Sequence, residues 1–166
     1  MASAFMSTAD VSLRPVQRED IPIFFQQQTD PGACQMVAFV WNVPADYEPF
    51  LAKWQRILAD DQKIARTIQW KDHVAGNIVC FPGPHSGNRE LGYWLGREYW
   101  NQGIATDAVR QFLPLIDERP LYAHAAADNF ASIRVLEKCG FTHLSQAVSF
   151  ANARGCEIDE VIMQLG

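Results

Sequence analysis

The chain has 166 residues, 48% of them apolar and 20% charged, with a formal net charge of −5. This size and composition suit one globular domain, residues 1–166, that buries its own core without staples. The negative balance and the lack of a basic run argue against a nucleic-acid partner, and no apolar stretch approaches the ~18 residues that a membrane span needs.

Residues 1–10 read as a frayed start, without the basic and apolar segments of a signal peptide. Val11–Val16 alternates like a strand. Arg18-Glu19-Asp20 opens a helix over Ile21–Gln28, with Pro22 in its first turn, and Asp30-Pro31-Gly32 stops it. Residues 33–47 give no clear pattern. Tyr47–Ala59 is an amphipathic helix with Phe50, Leu51, Trp54, Ile57 and Leu58 on one side. Lys63–Trp70 and Val74–Phe81 read as a hairpin around Lys71-Asp72-His73. A Pro/Gly loop over 82–88 leads to a strand at Leu91–Leu95. A helix is expected from Gln102 to about Leu113, where Pro114 ends or kinks it. Leu121–Ala127 is a strand, Phe130–Cys139 a helix, and Phe141–Phe150 and Glu157–Leu165 two closing strands. The order predicts a mixed α/β sheet.

Cys34, Cys80, Cys139 and Cys156 form no C-x-x-C pair and have no histidine at zinc-ligand spacing. They read as free thiols in a reducing compartment, so a cytoplasmic protein without a metal is expected.

Two segments carry chemistry. In the first, the strand Glu90–Leu95 runs through Trp100-Asn101-Gln102-Gly103 into Ile104-Ala105-Thr106-Asp107-Ala108. Asn101 and Gly103 tolerate unusual backbone angles, and the small residues keep the helix start uncrowded. Free N–H groups and the helix dipole at such a start favour an anion, here a diphosphate. Many helices begin this way for structural reasons alone. In the second, Asn129 is a natural N-cap, Ser132 follows in the first turn, and Gly140-Phe141 fits a helix C-terminus. Capping explains Asn129 and Gly140 without function, but it does not require Ser132.

Together these segments resemble the GNAT acetyltransferase superfamily, and within it the branch that acetylates N-terminal amines of ribosomal proteins. The resemblance rests on Glu90 with Gly92-Tyr93-Trp94, on Gly103 to Ala108, on Asn129 with Ser132, and on Lys138 with Gly140-Phe141. It implies a largely antiparallel mixed sheet with flanking helices, in which two parallel strands, Leu91–Leu95 and Leu121–Ala127, splay apart around the pantetheine of acetyl-CoA. It implies cofactor contacts at Trp94, Leu95, Trp100, Asn101, Gln102, Gly103, Ile104, Ala105 and Thr106, with Asn129 and Ser132 at the thioester end. It also implies a homodimer, to which closing strands that pair at an edge would lend themselves. The chain departs from the family in having Trp100 where a basic residue or Gln is usual and Asn101 where Gly is usual. Leu136 stands where many relatives carry a Tyr that acts as general acid, so that role must fall elsewhere.

Acetyl transfer needs a neutral amine, a polarised thioester and a proton for the leaving thiolate. Glu90 is the base candidate, directly or through water; its competing reading is an exposed strand-end carboxylate beside Arg89. Ser132 is the candidate for the thiolate, with helix capping as the alternative. Tyr93 is read first as a half-buried strand aromatic and second as a hydrogen-bond partner of cofactor or acceptor. His73, His85, His124 and His143 show no carboxylate or serine partner at a recognisable spacing and read as structural or solvated. Trp41, Tyr47 and Trp54 fall where relatives build an acceptor pocket, or are simply core. The expected function is acetyl transfer from acetyl-CoA to a primary amine, of a protein N-terminus or of a small molecule such as an aminoglycoside, polyamine or amino-acid derivative. A non-catalytic acyl-CoA-binding module is the remaining alternative.

Overall fold

The computed structural model describes residues 10–39, 46–84 and 86–166. Residues 1–9 of the expected frayed start, Trp41 and His85 lie outside the described residues. The strands are β1 (Val11–Arg14), β2 (Ile64–Trp70), β3 (His73–Pro82), β4 (Arg89–Leu95), β5 (Leu121–Ala126), β6 (Thr142–Ala151) and β7 (Cys156–Leu165). The helices are α1 (Ile21–Gln28), α2 (Pro31–Val37), α3 (Tyr47–Ala59), α4 (Ile104–Phe112) and α5 (Phe130–Lys138). One seven-stranded sheet runs β1-β2-β3-β4-β5-β7-β6. Every pairing in it is antiparallel except β4 with β5.

Local chemistry explains most boundaries. β2 and β3 join through Lys71 and Asp72, both at positive φ, the pairing that a two-residue primed turn requires. Asp30-Pro31 does more than stop α1. The Asp30 carboxylate accepts from the amides of Gly32 and Ala33 at 2.8 and 3.1 Å and so caps α2, with Pro31 at its first position. The stop signal is therefore also a start signal, and α2 is an element that the sequence pattern did not show.

Alternation along the strands separates two cores. Leu91 and Leu95 of β4 and Leu121, Ala123 and Ala125 of β5 pack against Ile104, Ala108, Val109 and Phe112 of α4 and Ile133 and Leu136 of α5. On the other face Ile21, Phe24, Phe50 and Trp54 of α1 and α3 pack on Ala65, while Ala33 and Cys34 of α2 pack on Trp94. At Gly76 β3 lies too close to β4 for any side chain: a Cβ there would lie 1.9 Å from the Trp94 carbonyl oxygen.

A buried polar knot ties the chain start to the sheet. Arg14 donates to both Asp20 oxygens at 2.6 and 2.7 Å, and the Thr67 hydroxyl and Gln17 amide donate to the same carboxylate at 2.7 and 2.8 Å. Burial alone would raise Asp20, but these donors hold its carboxyl below the usual range. Asp20→Asn leaves a cation without its partner and is expected to cost about 3 kcal/mol, the lower end for a broken buried pair because Arg14 is partly solvated. A depressed folded-state pKa gives stability that is full above about pH 4 and lost as pH falls through the folded value. Urea unfolding from pH 7 to 3 should therefore show a smaller acid-induced loss in Asp20→Asn than in the parent.

Candidate active site

The parallel ladder between β4 and β5 covers only two pairs, Arg89 with Leu121 and Glu90 with Tyr122. Beyond Glu90 the strands part, so facing backbone groups of 91–95 and 123–126 line a gap rather than a ladder. This is the splay expected between these strands.

The gap leads to the start of α4. Asn101 (φ 60) and Gly103 (φ 78) are both left-handed, which turns the chain sharply from β4 into the helix. Gly103 is the N-cap, so α4 begins at Ile104 rather than at Gln102, and no side chain caps it. The first intrahelical bond is from the Asp107 amide to the Gly103 carbonyl. The amides of Ile104, Ala105 and Thr106 are thus the helix's orphan donors, with the positive dipole end behind them. The Trp100 indole donates to the Leu95 carbonyl at 3.0 Å and pins the turn to the strand. Trp94 donates to the Gln27 carbonyl and Leu95 packs in the α4 core, so both side chains point away from the gap and only their backbones face it. Asn129 accepts from the Ser132 amide at 3.2 Å, the capping bond expected of it.

Strand alternation sends Glu90 and Tyr93 to opposite faces. Tyr93 lies on the α5 face, 2.9 Å from the Ser132 hydroxyl. Burial pushes its phenol up to about 12 despite that bond, so it stays protonated at neutral pH. Glu90 lies on the α2 face, folded against Gly83, where a Cβ would come within 2.4 Å of its Oε1. His124 is beside it, with Nε2 3.4 Å from Glu90 Oε1 and Nδ1 2.5 Å from Glu160 Oε1. Ser149 donates to the other Glu160 oxygen at 2.5 Å. On the same face a cleft of about 540 Å³ is lined by Pro31, Gly32, Gln35, Met36, Asp128 and Arg154. Arg154 closes its side, donating to both Asp128 oxygens and to the Gln35 carbonyl.

A splayed parallel pair running into an uncapped, left-handed helix start agrees with the family model that the chain matches, an acetyltransferase (GNAT) domain, over residues 10–142. The chain belongs to the GNAT acetyltransferase family. Its activity class is acetyl-CoA-dependent N-acetyl transfer. A similar curated relative is an uncharacterized N-acetyltransferase, p20, of Bacillus licheniformis, 22% identical over 95% of this chain and 93% of that one. Protein arginine N-methyltransferase 7 of Drosophila willistoni matches at 27% identity over 58% of this chain, which spans only 16% of that protein. Among solved structures, spermidine N-acetyltransferase from Vibrio cholerae, in complex with CoA and spermine, superposes with a TM-score of 0.81 at 14% identity over 95% of each chain. Ribosomal-protein-alanine N-acetyltransferase from Brucella melitensis does so at 0.78 and 22%, over 93% of this chain and 98% of that one.

In this GNAT chain two of the histidines are paired and two of the aromatics belong to the core. His124 and His143 both have carboxylate partners, Glu90 and Glu160 for the first and Glu137 for the second. Those of His124 come from neighbouring strands 34 and 36 residues away in sequence, where a spacing rule sees nothing. Tyr47 and Trp54 take the second of their two readings, that of core residues. Trp54 packs tilted against Phe24 inside the core between α1 and α3, and the partly buried Tyr47 meets Phe25 edge-on at its margin. The Tyr93–Ser132 pair was likewise beyond sequence reasoning, since it joins a strand to a helix 39 positions on.

Proposed function

We propose that the protein acetylates the N-terminal amine of a protein, using acetyl-CoA as co-substrate. The observation that carries this reading is the gap that opens beyond Glu90, flanked by Glu90 on one face and the Tyr93–Ser132 pair on the other. The diphosphate rests on the amides of Ile104, Ala105 and Thr106, with the Asn101–Gly103 turn around it, and pantetheine lies between β4 and β5. Asn129 orients the first turn of α5 so that Ser132 faces the thioester sulfur. The acceptor enters from the α2 face. Its ammonium loses a proton to Glu90, directly or through a water, and the neutral nitrogen attacks the acetyl carbonyl carbon. Glu90 passes that proton to solvent and takes the second proton of the attacking nitrogen as the C–S bond breaks, while the thiolate takes a proton through the Ser132 hydroxyl, which is reprotonated from solvent. Tyr93 donates to Ser132, which leaves the serine proton free to point at sulfur.

The Gly92-Tyr93-Trp94 strand and the likeness to a ribosomal-protein-alanine acetyltransferase support a protein N-terminus as acceptor. A polyamine is the second reading, favoured by the superposition on spermidine N-acetyltransferase. The test is kcat/KM for short peptides with a free α-amine against spermidine and spermine. Peptides are expected to be preferred, and a preference for polyamines would overturn the acceptor assignment.

The active form is a homodimer that pairs through β6. This strand is the sheet edge, and it leaves Leu144, Val148 and Phe150 52%, 64% and 62% exposed. Light scattering at micromolar concentration should give the mass of two chains, and Phe150→Glu that of one. A parent protein that runs as one chain would refute the dimer.

A further inference from the structure

We propose that His124, anchored by Glu160, is the positioning residue that aims the Glu90 carboxylate at the acceptor amine. The inference rests on the reading of Glu90 as base and adds the device that holds it. The sheet register provides the arrangement. Glu90 pairs with Tyr122 and Glu160 with Ala126, so on the α2 face His124 sits diagonally between the two carboxylates, one strand to either side. Its two ring nitrogens reach one oxygen of each. Ser149 then occupies the second oxygen of Glu160, so Glu160 is held at both ends and serves as a fixed post. Glu90 Oε1 lies 3.4 Å from His124 Nε2, at ion-pair distance, and the Gly83 backbone packs against the same oxygen.

Only the doubly protonated imidazole can donate to both carboxylates at once; a neutral ring has a single N–H and must drop one of them. The charged groups acting on His124 are Glu160 of β7, first, and Glu90 of β4, and together they raise it to about 9 against the desolvation of a half-buried ring. His124 therefore holds both carboxylates throughout the neutral range. It transfers no proton in the reaction, since both of its N–H groups are engaged. Glu160 in turn is held below the usual carboxylate range, by His124 first and by Ser149.

This role differs from a structural one in its pH signature. An N-terminal amine is largely neutral above about pH 8, so an alkaline loss of kcat near pH 9 cannot come from the acceptor. Positioning by His124 predicts such a limb in the parent protein, because Glu90 must still take the second proton of the attacking nitrogen when the amine is already neutral, and the ring releases one carboxylate as it loses its own second proton. His124→Gln, whose one amide nitrogen cannot span both carboxylates, should lower the neutral-pH kcat roughly 10–100-fold, the scale of a small misplacement of a reacting group. It should also abolish the alkaline limb while the acetyl-CoA thermal shift stays intact. Glu160→Gln, nearly isosteric, should move the limb to lower pH by removing the anion that most favours the imidazolium.

The experiment is kcat from pH 6 to 10 with saturating acetyl-CoA and an alanyl peptide, for the parent, His124→Gln, Glu160→Gln and Glu90→Gln, each beside a melt with acetyl-CoA. If Glu90→Gln is impaired but His124→Gln keeps the parent kcat and its alkaline limb, the positioning inference is overturned while the base assignment stands. If Glu90→Gln itself retains full activity at pH 6, the base assignment falls and the inference falls with it. A loss in His124→Gln that is accompanied by loss of the acetyl-CoA shift overturns the inference only if Glu160→Gln, folded, shows an unmoved limb.

Discussion

Gly103→Glu is expected to abolish acetyl-CoA binding. The substitution adds a carboxylate at the N-cap of α4, beside the three orphan amides that are proposed to hold the diphosphate. A Cβ at this position meets nothing within 4 Å, so the loss does not come from a clash. It comes from an internal anion that takes the donors and repels the ligand. For the parent protein, ligand at 100 times its Kd adds about 2.7 kcal/mol, which for a chain of this size is roughly 5–10 °C in Tm. The variant should show none of it. Gly103 has φ 78, where a side chain is strained, so Gly103→Ala is the control: it carries that strain but brings neither a charge nor an acceptor for the amides. It should keep most of the shift at a small cost in intrinsic stability. A parent-like shift in Gly103→Glu would mean that the diphosphate does not sit on this turn.

The second large effect separates Glu90 from Ser132. Both Glu90→Gln and Ser132→Ala should lower turnover on the order of 10²–10⁴-fold if chemistry limits the rate, with acetyl-CoA binding intact because the α4 amides are untouched. They should differ in their pH dependence. An α-amine has a pKa near 8, and only its neutral form attacks. Loss of the base therefore hurts most at pH 6 and least as pH passes the amine pKa. Loss of Ser132 leaves the shape of the profile unchanged, because a thiolate needs its proton at any pH. Assays from pH 6 to 9 read both. Near-full activity of Glu90→Gln at pH 6 would show that proximity in the gap is enough. If both variants stay active with binding intact, the site assignment is wrong although the family stands.

What the sequence disclosed, and what it hid, divides by range. The turn at 100–106 was legible because its determinants are local: Asn101 and Gly103 accept left-handed angles, and small residues follow. The N-cap at Asn129 was legible for the same reason, and the structure shows the capping bond. The hidden features need neighbours from other elements. Asp30-Pro31 has two local meanings, helix stop and helix start, and packing of Ala33 and Cys34 on Trp94 selects the second. Tyr47 and Trp54 have the spacing of a helix face, which does not say whether that face meets a ligand or Phe24 and Phe25. His124 has no partner along its own strand, and only the β4-β5-β7 order brings it Glu90 and Glu160.

The central claim, that the gap beyond Glu90 is a working acetyl-transfer site, is tested most directly by release of free CoA thiol from acetyl-CoA by the purified protein, with and without a peptide carrying a free N-terminal alanine. The expected result is release that requires the peptide, saturates with it, and appears as acetylated peptide in equal amount by mass spectrometry. Acetyl-CoA binding without any acceptor-dependent thiol release, across peptides and polyamines alike, would contradict the claim and leave an acyl-CoA-binding module on the same fold.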